Sequence, residues 1–156
     1  MTNSLKSSLY FTLCLGLTAG CAVAGGKHTP TTGKTSLSSQ TGYTAATELQ
    51  WVDSGFGPLV SPVNGDFSKS RHITYVKFPA GMATPTHTHT HDYVGVVITG
   101  VSMHWEPGKP ETKKPLSAGA HWFMPGGVQH VSECLPGAEC IMAIYQQQSM
   151  NCLPVQ

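Results

Sequence analysis

Short apolar runs that end at glycine or proline recur along the chain, and they restrict its possible folds more than any other feature. Examples are RHITYVKF at 71–78, YVGVVI at 93–98 and HWFM at 121–124. Runs of this length, rich in β-branched and aromatic residues and bounded by turn residues, predict strands rather than helices. No internal repeat and no long helical period interrupts them. The sequence therefore predicts one all-β domain, either a sandwich or a small barrel.

Histidine is concentrated in one part of the chain, because six of the eight histidines lie between His87 and His130. His87, His89 and His91 alternate with threonine. Residues two apart on an extended chain face the same way, so His87 and His89 present their imidazoles to one side. A third ligand must come from elsewhere, and His130 follows a Pro-Gly-Gly turn that can fold a later strand back against this pair. The pattern predicts a metal site made of histidines.

Two spaced motifs extend this pattern. The first reads glycine, five residues, His-x-His, three residues, Tyr93, six residues, glycine. The second reads glycine, five residues, Pro-x-Gly, two residues, histidine, three residues, Cys134. Their other defining positions are Gly81, His87, His89, Gly100, Gly119, Pro125, Gly127 and His130. These motifs resemble those of the cupin superfamily, which has a glutamate at the position of Tyr93 and an asparagine at the position of Cys134.

The resemblance covers roughly residues 51 to 146. Within the superfamily the chain looks closest to the ChrR-like zinc-binding cupin domain of bacterial anti-sigma factors and to small exported cupins of unassigned function. The resemblance implies a double-stranded β-helix, the cupin jelly-roll barrel, with a metal inside. The implied ligands are His87, His89 and His130, and the implied cofactor is a divalent transition metal such as Zn, Fe, Mn, Ni or Cu.

Several further side chains near the motifs have more than one interpretation. Tyr93 could be a fourth ligand, could hydrogen-bond to a metal-bound water or a substrate, or could pack in the barrel. His91 is expected at the barrel mouth, with a fourth ligand as the alternative. Tyr93 and His121 are the candidate catalytic residues, and His121 would act as an acid–base group if its side chain points inward. His104, next to Trp105, is expected at the surface.

Two functions are compatible with these residues. The first is a metal-dependent enzyme of dioxygenase, isomerase or lyase type that acts on a small molecule. The alternative is a non-catalytic, metal-stabilised cupin that binds a ligand or senses a signal. The formal net charge is +1 and no basic stripe occurs, so nucleic acid is not an expected partner. A small molecule is the expected partner, and a homodimer is possible because small cupins often pair through their sheets.

The N-terminal region reads as an export signal followed by a tether. Lys6 precedes a short apolar run, and Ala22-Val23-Ala24 offers a signal-peptidase site, which predicts a signal peptide at 1–24. The alternative is lipoprotein-type cleavage before Cys21, which would anchor the protein to the outer membrane. A polar stretch at 25–47 is suited to a flexible tether, and the cupin domain is expected at 48–150. We therefore expect an exported, periplasmic protein.

Cysteine usage suits an oxidising compartment. Cys134 and Cys140 flank a Leu-Pro-Gly turn, close enough in sequence for a disulfide, with two buried free thiols as the alternative. The disulfide is the favoured interpretation, and it leaves Cys152 unpaired near the C-terminus.

Overall fold

The computed structural model of the chain describes residues 42–156, and short antiparallel strands make up most of this region. Two 3-10 turns accompany them, at Ala46–Glu48 and Pro110–Thr112. The strands are β1 Val52–Asp53, β2 Leu59–Gly65, β3 His72–Phe78, β4 His87–Thr88, β5 Tyr93–Thr99, β6 Val101–Trp105, β7 Leu116–Ser117, β8 His121–Met124, β9 Val131–Cys134, β10 Cys140–Gln146 and β11 Leu153–Pro154. The predicted signal peptide, Cys21 and most of the predicted tether lie outside the described residues.

Two groups of strands form the walls of the barrel. One wall is a six-stranded sheet in the order β1-β2-β3-β10-β5-β8. The other begins with the three-stranded sheet β7-β6-β9. Isolated antiparallel bridges from Ala83 to Glu133 and from His87 to His130 continue it toward β4, which pairs with β11. All pairings are antiparallel, as the prediction of an all-β jelly-roll barrel requires.

Alternation of side chains along the strands creates the interior. On β3 and β10, buried residues alternate strictly with half-buried ones. This is the period of two that a strand must show when one face packs on a core. Strands of both sheets contribute to one apolar cluster, which contains Val60, Val76, Phe78, Tyr93, Val97, Met124, Cys134, Cys140, Met142 and Ile144.

The corner between β5 and β6 explains one motif glycine. Gly100 has φ 77°, a left-handed conformation that side chains other than glycine rarely adopt. A Cβ atom at this position would also lie 2.6 Å from the carbonyl oxygen of Glu139. Glycine is therefore required at this position for two reasons, the backbone conformation and the lack of space for a side chain. The corner lets the chain pass directly from one wall of the barrel to the other.

The sequence-based strand assignments are confirmed with small shifts. The predicted run at 71–78 becomes His72–Phe78, and the run at 128–133 becomes Val131–Cys134. The larger difference lies at the C-terminal end of the domain. Strand β11 pairs with β4 beyond the predicted boundary at residue 150, because Leu153 and Pro154 add a strand beside the first histidine motif. Among the described residues, no helix has the length and hydrophobicity needed to cross a membrane.

A disulfide links Cys134 at the end of β9 to Cys140 at the start of β10, with their Cα atoms 5.7 Å apart. This confirms the favoured interpretation of the cysteine spacing. Both residues are buried, so the bridge joins the two walls inside the core. Cys134 also takes the place of the asparagine of the second motif. This motif position therefore has a structural role as one end of the disulfide, and it carries no side-chain amide.

We predict that replacing both Cys134 and Cys140 with alanine lowers the free energy of unfolding by about 2 kcal/mol, because the bridge restricts the unfolded chain. Urea unfolding followed by tryptophan fluorescence measures this loss. Cys152→Ala is the matched control, since Cys152 is a free cysteine, and it should change stability less. Equal stability of the double variant and the wild type would show that the bridge does not form.

Candidate metal centre

A pair of backbone hydrogen bonds brings the two histidine motifs together. The amide of His87 donates to the carbonyl of His130, and the amide of His130 donates to the carbonyl of His87, each over 3.0 Å. The turns that flank this bridge are joined as well, because the amide of Gly127 donates to the carbonyl of His89 over 2.8 Å. Residues more than forty positions apart in sequence thereby reach the same end of the barrel.

Each of the three predicted ligands is held by its backbone-facing nitrogen. The Nδ1 atom of each imidazole donates a hydrogen bond to a carbonyl oxygen, which leaves Nε2 without a proton in the neutral ring. The bonds run from His87 to Pro85 (2.9 Å), from His130 to Val128 (2.9 Å) and from His89 to Asn151. Metal-binding histidines are commonly oriented in this way by a carbonyl partner.

The three imidazoles lie close enough to hold one ion. One ring nitrogen from each of His87, His89 and His130 lies within 4.8 Å of the others. Burial lowers the pKa of His89 and of His130 to about 4, and it lowers the pKa of His87 as well. All three rings are therefore neutral near pH 7, which is the form that binds a metal. The donor chemistry fits Zn, Fe, Ni or Cu, for which imidazole is a suitable ligand.

A hydrogen-bonded chain leads away from the three histidines. The Tyr93 hydroxyl lies 3.1 Å from Nε2 of His130 and 2.8 Å from Nε2 of His104. Nδ1 of His104 lies 3.0 Å from the Ser132 hydroxyl. Burial raises the pKa of the Tyr93 hydroxyl above its ordinary value, so this side chain remains a protonated donor in the absence of a cation. Tyr93 is thus packed in the barrel core and also hydrogen-bonded to His104 and His130, beside the predicted ligands.

His104 corrects the expectation of a surface histidine, since its side chain is 7% exposed. The expectation came from the alternating stretch that His104 shares with Trp105. The structure has the opposite phase, with Ser102 and His104 buried on β6. The interior face of β6 is polar because it faces the histidine cluster. Burial is also the main reason why the pKa of His104 lies well below its ordinary value, with the other histidines adding to the effect.

His121 does not occupy the interior position that a catalytic role requires. On β8 it pairs with Val96 of β5, whereas Trp122 pairs with Gly95 and Met124 pairs with Tyr93. Met124 and Tyr93 are buried, so Trp122 shares their inward phase and His121 faces outward. The side chain of His121 is exposed. The structure therefore selects the outward of the two directions that the sequence left open for His121, and the catalytic role that required an inward side chain is not supported.

His91 also lies apart from the three ligands. It is half-buried and borders a shallow surface pocket with Thr90, Asp92, Gln147 and Gln148. The ring is not part of the histidine group that could hold a metal. The neighbouring Asp92 carboxylate accepts a hydrogen bond from the amide of Gly126 over 2.7 Å, which fixes this turn at the barrel mouth. The structure therefore supports the first interpretation of His91 over the fourth-ligand alternative.

The C-terminal segment contributes groups to the site that sequence reasoning missed. The Asn151 carbonyl accepts the hydrogen bond from His89, and the Asn151 side chain bonds to the backbone and side chain of Thr90. The thiol of Cys152 borders the same cavity, and burial raises its pKa. Neither residue follows a recognisable motif. The predicted boundary at residue 150 excluded both of them.

The histidines open onto a cavity of about 330 Å³ inside the barrel. His87, His89, Tyr93 and His104 border it, whereas His130 is fully buried beside them. The ring centroid of His89 lies 5.0 Å from those of His87 and Tyr93, so the polar groups cluster at one place. The arrangement can hold a metal and a small ligand side by side, with the Tyr93 hydroxyl close to both.

Comparison with curated proteins finds a related segment. The chain is 36% identical over 58 residues to the beta-alanine degradation protein BauB of Pseudomonas aeruginosa. The match spans 37% of this chain and 61% of BauB, which is less than two thirds of that protein's length.

Solved structures show the same fold. The chain is similar to the polyketide cyclase RemF of Streptomyces resistomycificus, with a TM-score of 0.62 and 15% identity over 75% of this chain and 87% of RemF. It is also similar to the anti-sigma factor ChrR of Rhodobacter sphaeroides, which was solved in complex with SigE. The TM-score is 0.52 and the identity is 16%, and the match covers 66% of this chain and 51% of the ChrR chain. Other matching structures are described as RmlC-like cupins.

These likenesses confirm the cupin fold and the resemblance to ChrR that the motifs indicated. A family profile described as a domain of unknown function, DUF4437, matches residues 64–150. This range contains both histidine motifs and covers more than half of the sequence. The chain therefore belongs to the DUF4437 family, a family of cupin-like domains.

Proposed function

We propose that the protein is a metal-dependent enzyme that converts a small molecule inside the barrel. The observation that carries this proposal is the joint placement of His87, His89 and His130, with unprotonated Nε2 atoms, beside the Tyr93 hydroxyl. When bound, a divalent metal would act as a Lewis acid that polarises an oxygen atom of the ligand. The three histidines would hold it, and Tyr93 would donate a hydrogen bond to the same ligand.

The chain from Tyr93 through His104 to Ser132 favours proton transfer as the reaction class. Neutral His104 has one ring proton and lies between two hydroxyl groups, so the direction of its hydrogen bonds can reverse. Tyr93 can then donate its proton to the ligand while the Nε2–H of His104 hydrogen-bonds to the Tyr93 oxygen, and Tyr93 recovers a proton from the ligand or from a cavity water when the reaction is complete. This supports isomerase or lyase chemistry. A dioxygenase built on the same three histidines would be indicated by turnover that requires iron and oxygen.

A non-catalytic, metal-stabilised binding protein is the second candidate. It is favoured by Tyr93 in place of the glutamate ligand, since a protonated tyrosine supplies no negative charge to the metal. This candidate predicts saturable ligand binding without product. Turnover by any metal-loaded form of the protein would exclude it.

We further propose that the protein is exported, as its N-terminal sequence indicates. The Cys134–Cys140 disulfide supports this, because such bonds persist in oxidising compartments. Expression of the full chain in a Gram-negative host should place it in the periplasmic or outer-membrane fraction, and Cys21→Ser should abolish membrane association if Cys21 is lipidated. Recovery of full-length, uncleaved chain from the cytoplasm would overturn the proposal.

We predict that His130→Ala lowers metal affinity at least about 100-fold, because it removes one of three ligands. Elemental analysis and competition with a chromogenic chelator measure this on tag-free protein. His121→Ala is the matched control, since it removes an exposed histidine from a strand of the same barrel. Unchanged metal content in His130→Ala would contradict the proposed site.

We predict that bound metal is retained at pH 5 and released as the pH approaches 4. Protons compete for the ligand nitrogens only near the pKa of the metal-free rings, and burial holds the pKa of His89 and His130 at about 4. Dialysis at stepped pH followed by elemental analysis measures the release. Half-release near pH 6.5, the usual range of an exposed histidine, would show that the ligands are not buried as described.

We predict that Tyr93→Phe leaves the metal content unchanged but lowers turnover by about 10²- to 10⁴-fold, because the proton donor is lost. The test begins with wild-type protein loaded with Zn, Mn, Ni, Cu or Fe and screened against oxo, hydroxy and thiol compounds. Wild-type turnover that survives in Tyr93→Phe would remove Tyr93 from the reaction. Absence of turnover with every metal would favour the non-catalytic candidate.

A further inference from the structure

The walls of the cavity differ sharply from its histidine end. Within residues 42–156, most of the lining residues are apolar, and none is Asp, Glu, Lys or Arg. The apolar lining consists of Gly55, Phe56, Pro58, Val76, Phe78, Pro85, Trp122, Met142, Ile144, Met150 and Pro154. A ligand that fills the cavity therefore contacts hydrocarbon and aromatic surface over most of its length.

The absence of charge on these walls excludes several ligand classes. A charged group buried without a partner is strongly disfavoured, because desolvation costs more than the apolar wall returns. An ammonium group would find no carboxylate here, and a second carboxylate remote from the metal would find no Lys or Arg. β-Alanine, named in the description of the relative BauB, carries such an ammonium group and fits this cavity poorly.

Apart from the free thiol of Cys152, the remaining polar side chains of the wall are already engaged. The Thr84 hydroxyl pairs with the backbone of Ser132, and the Ser132 hydroxyl pairs with His104. The Gln146 amide donates to the carbonyl of His91 over 3.1 Å. A ligand thus finds its polar partners at the histidine end, where His89 and Tyr93 have ring centroids 5.0 Å apart. This geometry suits a molecule with one polar head group.

Trp122 adds a flat aromatic wall to the cavity. Its indole stacks on His104 with ring centroids 4.6 Å apart and an interplanar angle of 27°. Gly95 makes room for this ring, because a Cβ atom there would overlap the indole.

The volume limits the size of the ligand. A cavity of about 330 Å³ corresponds to about eleven water molecules at their volume in the liquid. It lies at the lower end of the range for small-molecule sites. A single aromatic ring with a short oxygen-bearing head group fits this space, whereas a nucleotide or a large cofactor does not.

We propose that the substrate is a small, mainly apolar molecule, aromatic or branched, with one oxygen-bearing head group that is neutral or singly anionic. The head group lies at the His87–His89–Tyr93 end, and the apolar body lies against Trp122, Phe78 and Ile144. This inference rests on the proposed function, because the metal supplies the positive charge that holds an anionic head.

Three hydroxamates test the proposal, since they share one metal-binding head group. Acetohydroxamate lacks an apolar body, benzohydroxamate has one, and 4-carboxybenzohydroxamate adds a remote charge. Isothermal titration calorimetry on zinc-loaded protein should show benzohydroxamate binding at least about tenfold more tightly than either of the others. β-Alanine should show no saturable binding. Equal affinities for the three hydroxamates, or preference for the carboxylated one, would overturn the proposal.

A positive charge introduced into the apolar wall provides a second test, because it should change the relative affinities for the charged and uncharged probes. Phe56 lies on the loop between β1 and β2 and belongs to the apolar lining of the cavity. Phe56→Lys should raise the affinity for 4-carboxybenzohydroxamate relative to benzohydroxamate, and the matched Phe56→Leu should keep the wild-type order. An unchanged order in folded, zinc-loaded Phe56→Lys would overturn the proposal. If Phe56→Lys does not fold, the affinities of the wild-type protein for the three hydroxamates decide the test.

The zinc content of the same samples separates two kinds of failure. Stoichiometric zinc with no preference among the probes overturns the substrate class and leaves the metal site standing. Protein that holds no zinc, nor any other metal offered, overturns the proposed function and this inference with it.

Discussion

The backbone bridge between His87 and His130 is the contact on which the rest of the site depends. It sets the two histidine motifs side by side, so that the imidazoles of three residues reach one point. The bridge closes one wall of the barrel, and β11 continues that wall past β4. Because Asn151 just before β11 anchors His89, the C-terminal segment completes both the barrel and the ligand set.

Tyr93, which stands where the cupin motif has a glutamate, shapes the chemistry of the cavity. Three neutral imidazoles would leave the charge of a divalent ion uncompensated, which favours an anionic head group on the ligand. Tyr93 adds a proton donor at the same place, and His104 and Ser132 support it from behind. The apolar walls strengthen both effects, since electrostatic interactions are stronger where water is excluded. A single polar end in a cavity whose other walls are mainly apolar follows from these features together.

Much of this arrangement could be predicted from the sequence, because motif spacing reflects local backbone geometry. The spacing from Gly81 selects His87 and His89, and the turn before His130 explains its return to the same place. Strand phase was harder to predict. His104 was assigned to the wrong side, since the apolar side chains of β6 lie on its outer face, and the direction of His121 stayed open because the loop before β8 hides the phase of that strand. The roles of Asn151 and Cys152 depend on the pairing of β11 with β4, which no local pattern indicates.

X-ray absorption spectroscopy at the metal edge of tag-free protein, loaded with one equivalent of zinc, tests the central claim most directly. The account predicts three imidazole nitrogens in the coordination sphere, completed by oxygen atoms of water or ligand, and the loss of one imidazole in His130→Ala. A sulfur ligand from Cys152, fewer than three imidazoles, or an identical spectrum in His130→Ala would contradict it.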